Sequence, residues 1–399
     1  MKKNNLIGLI FITALSTGLT MISAFLLARL LSVDERGALQ LFITSVTYGV
    51  TVGAGGVGFA LALGMRNRQY LHWKKYVAGF LAYTVLVGCI ALYLFNITSF
   101  SLLFVLNVLL TAVLNITLEK SKIDHRLKIY RVLTLQQPIL AVLLYGGCYL
   151  LFGERQLSTV LWLLTGLTAI QAALCCLYLY RIEREFLSDN QVTPIESKFF
   201  FRHWAKQNLL QVFGATTSNL DKFLIVYFLG NYTLGLYTVC MAFDALLTRF
   251  INVLADYYYS GLLNRLNRIK AVLAVILLMS VAAVALVPFL AEPVVAFFFS
   301  HKYTAVAPLL LWFVINSILA GLSWVLSQNM LICGKQVLLF SRQLVSILVF
   351  VVLFYWLRDL QLQGVAYALI GASLTRLIIS IVYYFKFPLD YSSSQQGQS

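Results

Sequence analysis

The chain has 399 residues, 60% of them hydrophobic and 11% charged, with a mean hydropathy of +0.84, which leaves little chain for a soluble domain. Its formal net charge is +15, but the basic residues are divided among small gaps, a pattern that argues against nucleic-acid binding and for contact with anionic lipid headgroups.

Apolar stretches of bilayer length fall near 5–31, 37–64, 76–95, 98–118, 134–152, 158–180, 204–229, 233–260, 271–297, 304–332, 338–357 and 363–386. A hydrocarbon core of roughly 30 Å takes ~20 helical residues. Membrane-spanning strands are excluded, because open sheet edges cannot be satisfied in lipid and the ~10-residue alternation of a barrel is missing. The expected fold is all-α: a polytopic membrane protein of about twelve transmembrane helices in two six-helix halves, with pseudo-two-fold symmetry around a central cavity.

Lys2 and Lys3 open the first stretch in the manner of a secretory signal, but the apolar run is longer than a signal and reaches Arg29 without a clear cleavage site, so a retained span is expected. With the N-terminus inside, twenty-two of the thirty Lys and Arg residues fall in cytoplasmic segments, among them Arg66, Arg68, Lys74, Lys75, Lys120, Lys122, Arg126, Lys128, Arg131, Lys335 and Arg342. Arg36, Arg155, Lys302 and Arg358 fall outside. This is the positive-inside pattern, and it places both termini of a multi-pass protein in the cytoplasm.

Thr13, Ser16, Thr20 and Ser23 line span one, and Gln40, Thr44, Thr47 and Thr51 line span two. Later in span two, Gly53, Gly55 and Gly58 spell G-x-G-x-x-G. A dinucleotide fold needs a strand before that motif and an acidic residue after it, so packing or a hinge is the expectation here. Spans one to six show no deeply buried Asp or Glu. Outside gaps reach only about ten residues, which argues against polymerases and glycosyltransferases with large outside loops. His72, His125, His203 and His301 lie near loops, apart from cysteine or carboxylate clusters, and Cys89, Cys148, Cys175, Cys176, Cys240 and Cys333 lack metal-ligand spacing, which suits packing. An enzyme is not expected, nor any cofactor beyond a coupling ion.

The segment 31–40 (LSVDERGALQ) matches 229–238 (LGNYTLGLYT) at an offset of 198, with Leu first and Gly seventh in each. A parallel duplication with halves of about 1–190 and 200–399 follows, and halves of that kind commonly enclose a midplane site. The hydrophilic linker at 181–203 ends in Phe199, Phe200 and Phe201 beside Lys198 and Arg202. It reads either as an interfacial helix or as a lead-in to span seven.

Charge within the membrane costs from ~2.5 to more than 10 kcal/mol, so such residues normally face protein or a watery cavity. Span seven carries Asn208, Gln211, Ser218 and Lys222 on one helical face, with Asp221 adjoining; span eight carries Asp244, Arg249, Asn252 and Asp256; span twelve carries Arg376. Arg29 sits near the outer surface, where it and Lys222 have the alternative of snorkelling, while Arg249 has that of pairing with Asp256. Cations lining a cavity imply an anionic substrate, and the guanidinium fork suits phosphate.

The run 28–42 (ARLLSVDERGALQLF), a Gly-rich second span ending in MRNRQ, and above all 219–243 (NLDKFLIVYFLGNYTLGLYTVCMAF) resemble the bacterial oligosaccharide flippases (Wzx-type) of the polysaccharide biosynthesis family, within the multidrug/oligosaccharidyl-lipid/polysaccharide exporter superfamily. The resemblance covers essentially the whole chain. It departs at Tyr257, Tyr258 and Tyr259, where relatives often have proline. It implies a flippase of the bacterial inner membrane that carries an undecaprenyl-diphosphate-linked oligosaccharide of O-antigen or another surface polysaccharide, coupled to H+ or Na+, with a polysaccharide polymerase and chain-length regulator as partners. Arg249 and Arg376 are then the first candidates for the diphosphate, with Lys222 and Arg29 second and Asn208, Gln211 and Asn252 in the same cavity. Asp221, Asp244 and Asp256 are the candidates for the coupling cation or ion pairing. The alternatives are a cation-coupled multidrug exporter of the same superfamily, which would need buried carboxylates, and a membrane polymerase or glycosyltransferase, which would need a large outside loop.

Overall fold

The computed structural model describes residues 3–94, 98–123, 127–153, 155–187 and 192–387. Lys2, His125, Arg126 and both chain ends lie outside the described residues, as do the side chains of Lys3, Thr13, Lys122, Lys128 and Arg131. Its helices are α1 (Lys3–Leu30), α2 (Val33–Ala54), α3 (Val57–Arg66), α4 (Trp73–Leu94), α5 (Ser101–Ile123), α6 (Leu127–Phe152), α7 (Leu157–Leu187), α8 (Ser197–Leu263), α9 (Ile269–Phe298), α10 (Leu310–Ile332), α11 (Gln336–Leu357) and α12 (Gln361–Lys386). Short 3-10 turns cover Thr98–Phe100, His301–Leu309 and Arg358–Leu360.

Nine segments among the described residues are long and apolar enough to cross a bilayer. Two of them contain a joint: Ser197–Leu263 at Gly230, whose φ of 84° and ψ of 175° are not helical, and Gln336–Lys386 at the 3-10 turn Arg358–Leu360. Counting each side of those joints and adding the 28-residue α1 restores the twelve spans expected. The strands β1 (Gln69–Leu71) and β2 (Thr193–Pro194) form one short parallel pair between spans.

Contacts divide the chain into Met1–Phe223 and Leu224–Ser399. The division by packing falls within α8, whereas the boundary expected for six-helix halves falls in the linker at 181–203. In the first unit α1 packs on α6, α2 on α4 and α5, and α5 on α7. Leu39, Phe42, Val46, Val50, Phe104, Val108 and Ile116 form the centre of its core. Lipid is as apolar as these side chains, so polar contacts and close fit must add specificity. Buried Asn107 on α5 supplies one such contact, donating to Thr165 Oγ1 of α7 at 2.7 Å. Glu35 supplies another: it completes a capping box with Ser32 at the start of α2 and accepts the Leu157 N–H of α7 at 3.0 Å. In the second unit α12 packs on α10 and α11, and α9 on α10. Its core includes Ile251, Ala255, Tyr258, Val272, Ile276 and Val325.

The linker end proves to be a lead-in, because α8 runs without interruption from Ser197 into span seven. Phe200 is buried there, with its ring 4.7 Å from that of Tyr76 on α4, and Trp204 lies 4.8 Å from Phe80. Cys148, Cys175 and Cys240 are buried, but Cys89, Cys176 and Cys333 are exposed, so packing explains only half of the cysteines.

Gly230 stands 198 residues after Ser32, the N-cap of α2, so both aligned segments contain the joint from one helix to the next. Its conformation belongs essentially to glycine. Gly230→Ala should cost ~1–3 kcal/mol and lower the melting temperature of the purified protein in detergent. Gly147→Ala, in α6 with open space around it, should not.

Candidate functional site

Two polar clusters form inside the helical framework, one in each unit. In the first unit the second span breaks where the sequence reads Gly55 and Gly56. Helix α2 stops at Ala54, Gly56 takes a left-handed φ of 81°, and α3 restarts at Val57. The G-x-G-x-x-G run is thus a helix break, in keeping with the packing or hinge expected of it. The freed carbonyls of Thr51, Val52 and Gly55 accept the Asn208 Nδ2 amide at 2.9, 3.2 and 3.0 Å. On the other side of the break, the Gly56 N–H donates to both carboxylate oxygens of Glu119 at 3.1 Å, and Gln211 Nε2 donates to Glu119 at 2.6 Å. A broken helix at membrane depth is tolerated when side chains re-satisfy its backbone in this way.

Glu119 corrects the expectation of no buried acid in spans one to six. It is 9% exposed on α5, which continues past the apolar stretch to Ile123. Lys120 beside it is corrected likewise. Assigned to a cytoplasmic loop, it is 1% exposed, with Nζ 5.5 Å and 5.4 Å from the ring centres of Tyr70 and Tyr178. Burial, followed by the negative charge of Glu183, raises the Tyr70 phenol above its ordinary pKa. Glu183 is itself paired to Lys74 at 2.8 Å. Arg36, assigned to an outside loop, is also buried, in the first turn of α2.

The remaining first-unit candidates are tied into local structure. Lys222 is buried, donates to the Ser218 carbonyl and lies 3.4 Å from Asp221 Oδ1. Arg29 is half-buried near the end of α1. Asn208, Gln211 and Lys222 were read as one face of span seven, and the structure engages all three amide or ammonium groups with protein partners.

In the second unit the cluster joins four helices. Asp244 on α8 accepts the Ser317 hydroxyl of α10 and interacts electrostatically with Arg376 on α12. Arg376 donates from Nη2 to Ser373 Oγ at 2.9 Å, and Ser373 donates to Asn316 Oδ1 at 2.7 Å. Arg342 on α11 lies close enough to Arg376 for their charges to repel, and its Nη1 donates to Ser380 Oγ at 2.6 Å and to the carbonyl and hydroxyl oxygens of Ser323 at 3.1 Å. Arg342 is 6% exposed, and no carboxylate among the described residues pairs with it. The Nε atoms of Arg342 and Arg376 are buried without a hydrogen-bond partner.

Sequence reasoning missed Arg342 by counting it with the loop charges. Its position inside the eleventh apolar stretch was the available signal. By contrast, Arg249, Asn252 and Asp256 are exposed on α8, and no ion pair joins Arg249 to Asp256. Tyr258, between two exposed or half-exposed tyrosines, is fully buried and donates to Asn329 Oδ1 at 2.8 Å. Among the described residues no three His, Cys, Asp or Glu side chains converge as a metal site requires.

The first cluster yields a stability test. Asn208→Leu removes the amide that satisfies three carbonyls, and an unsatisfied buried polar group costs ~1–3 kcal/mol. The melting temperature of the detergent-purified protein should drop by several degrees. Ser218→Ala, on an exposed turn of the same helix, should leave it unchanged.

No protein-family model and no curated protein matches the chain. Among solved structures it is similar to an inward-facing multidrug resistance MATE family transporter of the MOP superfamily, at 12% identity over 96% of both chains with a TM-score of 0.62. It is also similar to the lipid II flippase MurJ in an inward closed conformation, at 13% identity over 96% of this chain and 94% of that one with a TM-score of 0.68. Identities this low speak for the fold. The chain is an all-helical polytopic membrane protein with the fold shared by MATE transporters and the MurJ flippase.

Proposed function

We propose that the chain is a flippase that moves an undecaprenyl-diphosphate-linked oligosaccharide from the cytoplasmic to the periplasmic leaflet by alternating access, driven by an ion gradient. The observation that carries this reading is the Arg342 and Arg376 pair. Two guanidinium groups held near each other by serine hydroxyls repel one another, and no acid among the described residues pairs with Arg342. A diphosphate supplies the missing negative charge, and its oxygens match the arginine fork.

Asp244 gives the coupling its chemistry. Its carboxylate and the substrate phosphate compete for Arg376, which links the charge state of Asp244 to substrate affinity. Arg249, Asn252 and Asp256 present a second, exposed polar strip on α8 and serve the sugar or its route. Lys222, with Asp221 against it, is a weaker candidate for phosphate.

A cation-coupled multidrug exporter is the second reading, and the buried Glu119 favours it, since carboxylates suit cationic drugs. Glu119 is, however, already occupied by the Gly56 N–H and Gln211. The two readings separate in proteoliposomes that are offered either fluorescent undecaprenyl-diphosphate oligosaccharide or a lipophilic cation. Under the flippase reading only the first substrate moves. Arg342→Ala and Arg376→Ala should each lower its rate ~10-fold or more, the scale of a lost charge-assisted hydrogen bond, with protein yield unchanged. Undiminished flipping by both variants would remove the assignment.

A further inference from the structure

A groove in the first unit, at the start of α4, has a chemistry unlike that of the two polar clusters. It encloses about 540 Å³ and is lined by Leu71, His72, Lys75, Tyr76, Phe80, Tyr83 and Phe201, together with Gly79 and the β2 edge. Its polarity changes along its length. His72 and Lys75 lie at the end where the chain leaves β1, and Phe80, Tyr83 and Phe201 lie farther along the span. Ten residues of helix separate the two ends, or ~15 Å, the scale of a headgroup followed by the upper part of an acyl chain.

Lys75 is exposed and has no ion-pair partner among the described residues, whereas its neighbour Lys74 is held by Glu183 at 2.8 Å. The groove floor is fixed. Tyr76 hydrogen-bonds Ser197 at 2.7 Å, β1 and β2 pair beneath it, and Phe200 is buried against Tyr76. The large rings of Tyr83 and Phe201 are 43% and 48% exposed, so the apolar end lies open. A second groove, of about 470 Å³ between α9 and α10, is lined by Ser280, Val281, Val284, Ala285 and residues of α10 with no charged group. That one has the character of an ordinary lipid-facing surface, and the charged mouth sets the first apart.

We infer that the groove at the start of α4 binds an anionic phospholipid of the adjacent leaflet, with its phosphate on Lys75 and His72 and an acyl chain along Phe80, Tyr83 and Phe201. Charge complementarity selects the headgroup, and the aromatic walls take the chain. By the positive-inside bias of the flanking loop, that leaflet is the cytoplasmic one. The site is independent of the transport reading, because its readout is lipid binding alone.

The test uses the full chain purified in detergent. Melting temperature is measured with added phosphatidylglycerol, phosphatidylcholine or undecaprenyl phosphate at equal mole fraction, and retained lipid is counted by native mass spectrometry. Phosphatidylglycerol should raise the melting temperature by several degrees and remain bound as one molecule, and phosphatidylcholine should do neither. The double variant Lys75→Gln, His72→Gln should lose at least two thirds of that shift. Gly79→Leu should do the same by filling the groove, since a Cβ there meets nothing within 4 Å, and its lipid-free melting temperature serves as the control for folding. Equal stabilisation by phosphatidylcholine, an undiminished shift in both variants, or preference for undecaprenyl phosphate over phosphatidylglycerol would each overturn the assignment.

Discussion

A peptide N–H or C=O left without a partner in hydrocarbon costs several kcal/mol, and the second span interrupts its own helix at Gly55 and Gly56. Everything around that break is arranged to meet the cost. Asn208 covers the carbonyl end, Glu119 accepts the amide that restarts the helix, and Gln211 holds Glu119 in place. Three elements distant in sequence thereby become obligatory neighbours within the first unit, so α5 and the start of α8 are located by hydrogen bonding as well as by packing.

The units spend their charges differently. In the first, Glu119 serves the backbone, Lys222 and Asp221 sit against each other, and Lys74 answers Glu183. Glu119 and the Lys74–Glu183 pair thereby join different helices, while Lys222 and Asp221 are engaged within α8. In the second, Asp244 stands against Arg376 while the hydrogen-bond partners of Arg342 among the described residues are neutral hydroxyl and carbonyl oxygens. A buried guanidinium with neutral partners is poised to take an anion, and the proposed diphosphate site rests on that asymmetry.

The spans and the glycine break in the second of them were legible in sequence because each depends on local pattern, apolar length in one case and glycine in the other. The S-x-x-E spacing of Ser32 and Glu35 went unread. The charges at span edges were not legible. Hydropathy falls wherever a charged residue appears, so Glu119 and Lys120 looked like loop residues although α5 carries them on into the protein interior. Arg342 was lost in the same way near the start of α11. The polar face of span seven was identifiable from its spacing, but which partners it meets depends on long-range contacts that no periodicity reveals. Arg249 and Asp256 show the converse, since their seven-residue spacing does place both on an exposed face and yet forms no ion pair.

The joint between the first two helices of each aligned segment has kept its register, with Ser32 answered by Gly230, but the break has not. At the same offset of 198, Gly55 and Gly56 correspond to Val253 and Leu254, which lie in uninterrupted helix. One segment is interrupted and the other continuous. The likeness of the two segments therefore extends through the joint and stops short of the break, so the hydrogen-bonded anchorage built around Gly55 and Gly56 has no counterpart at Val253 and Leu254.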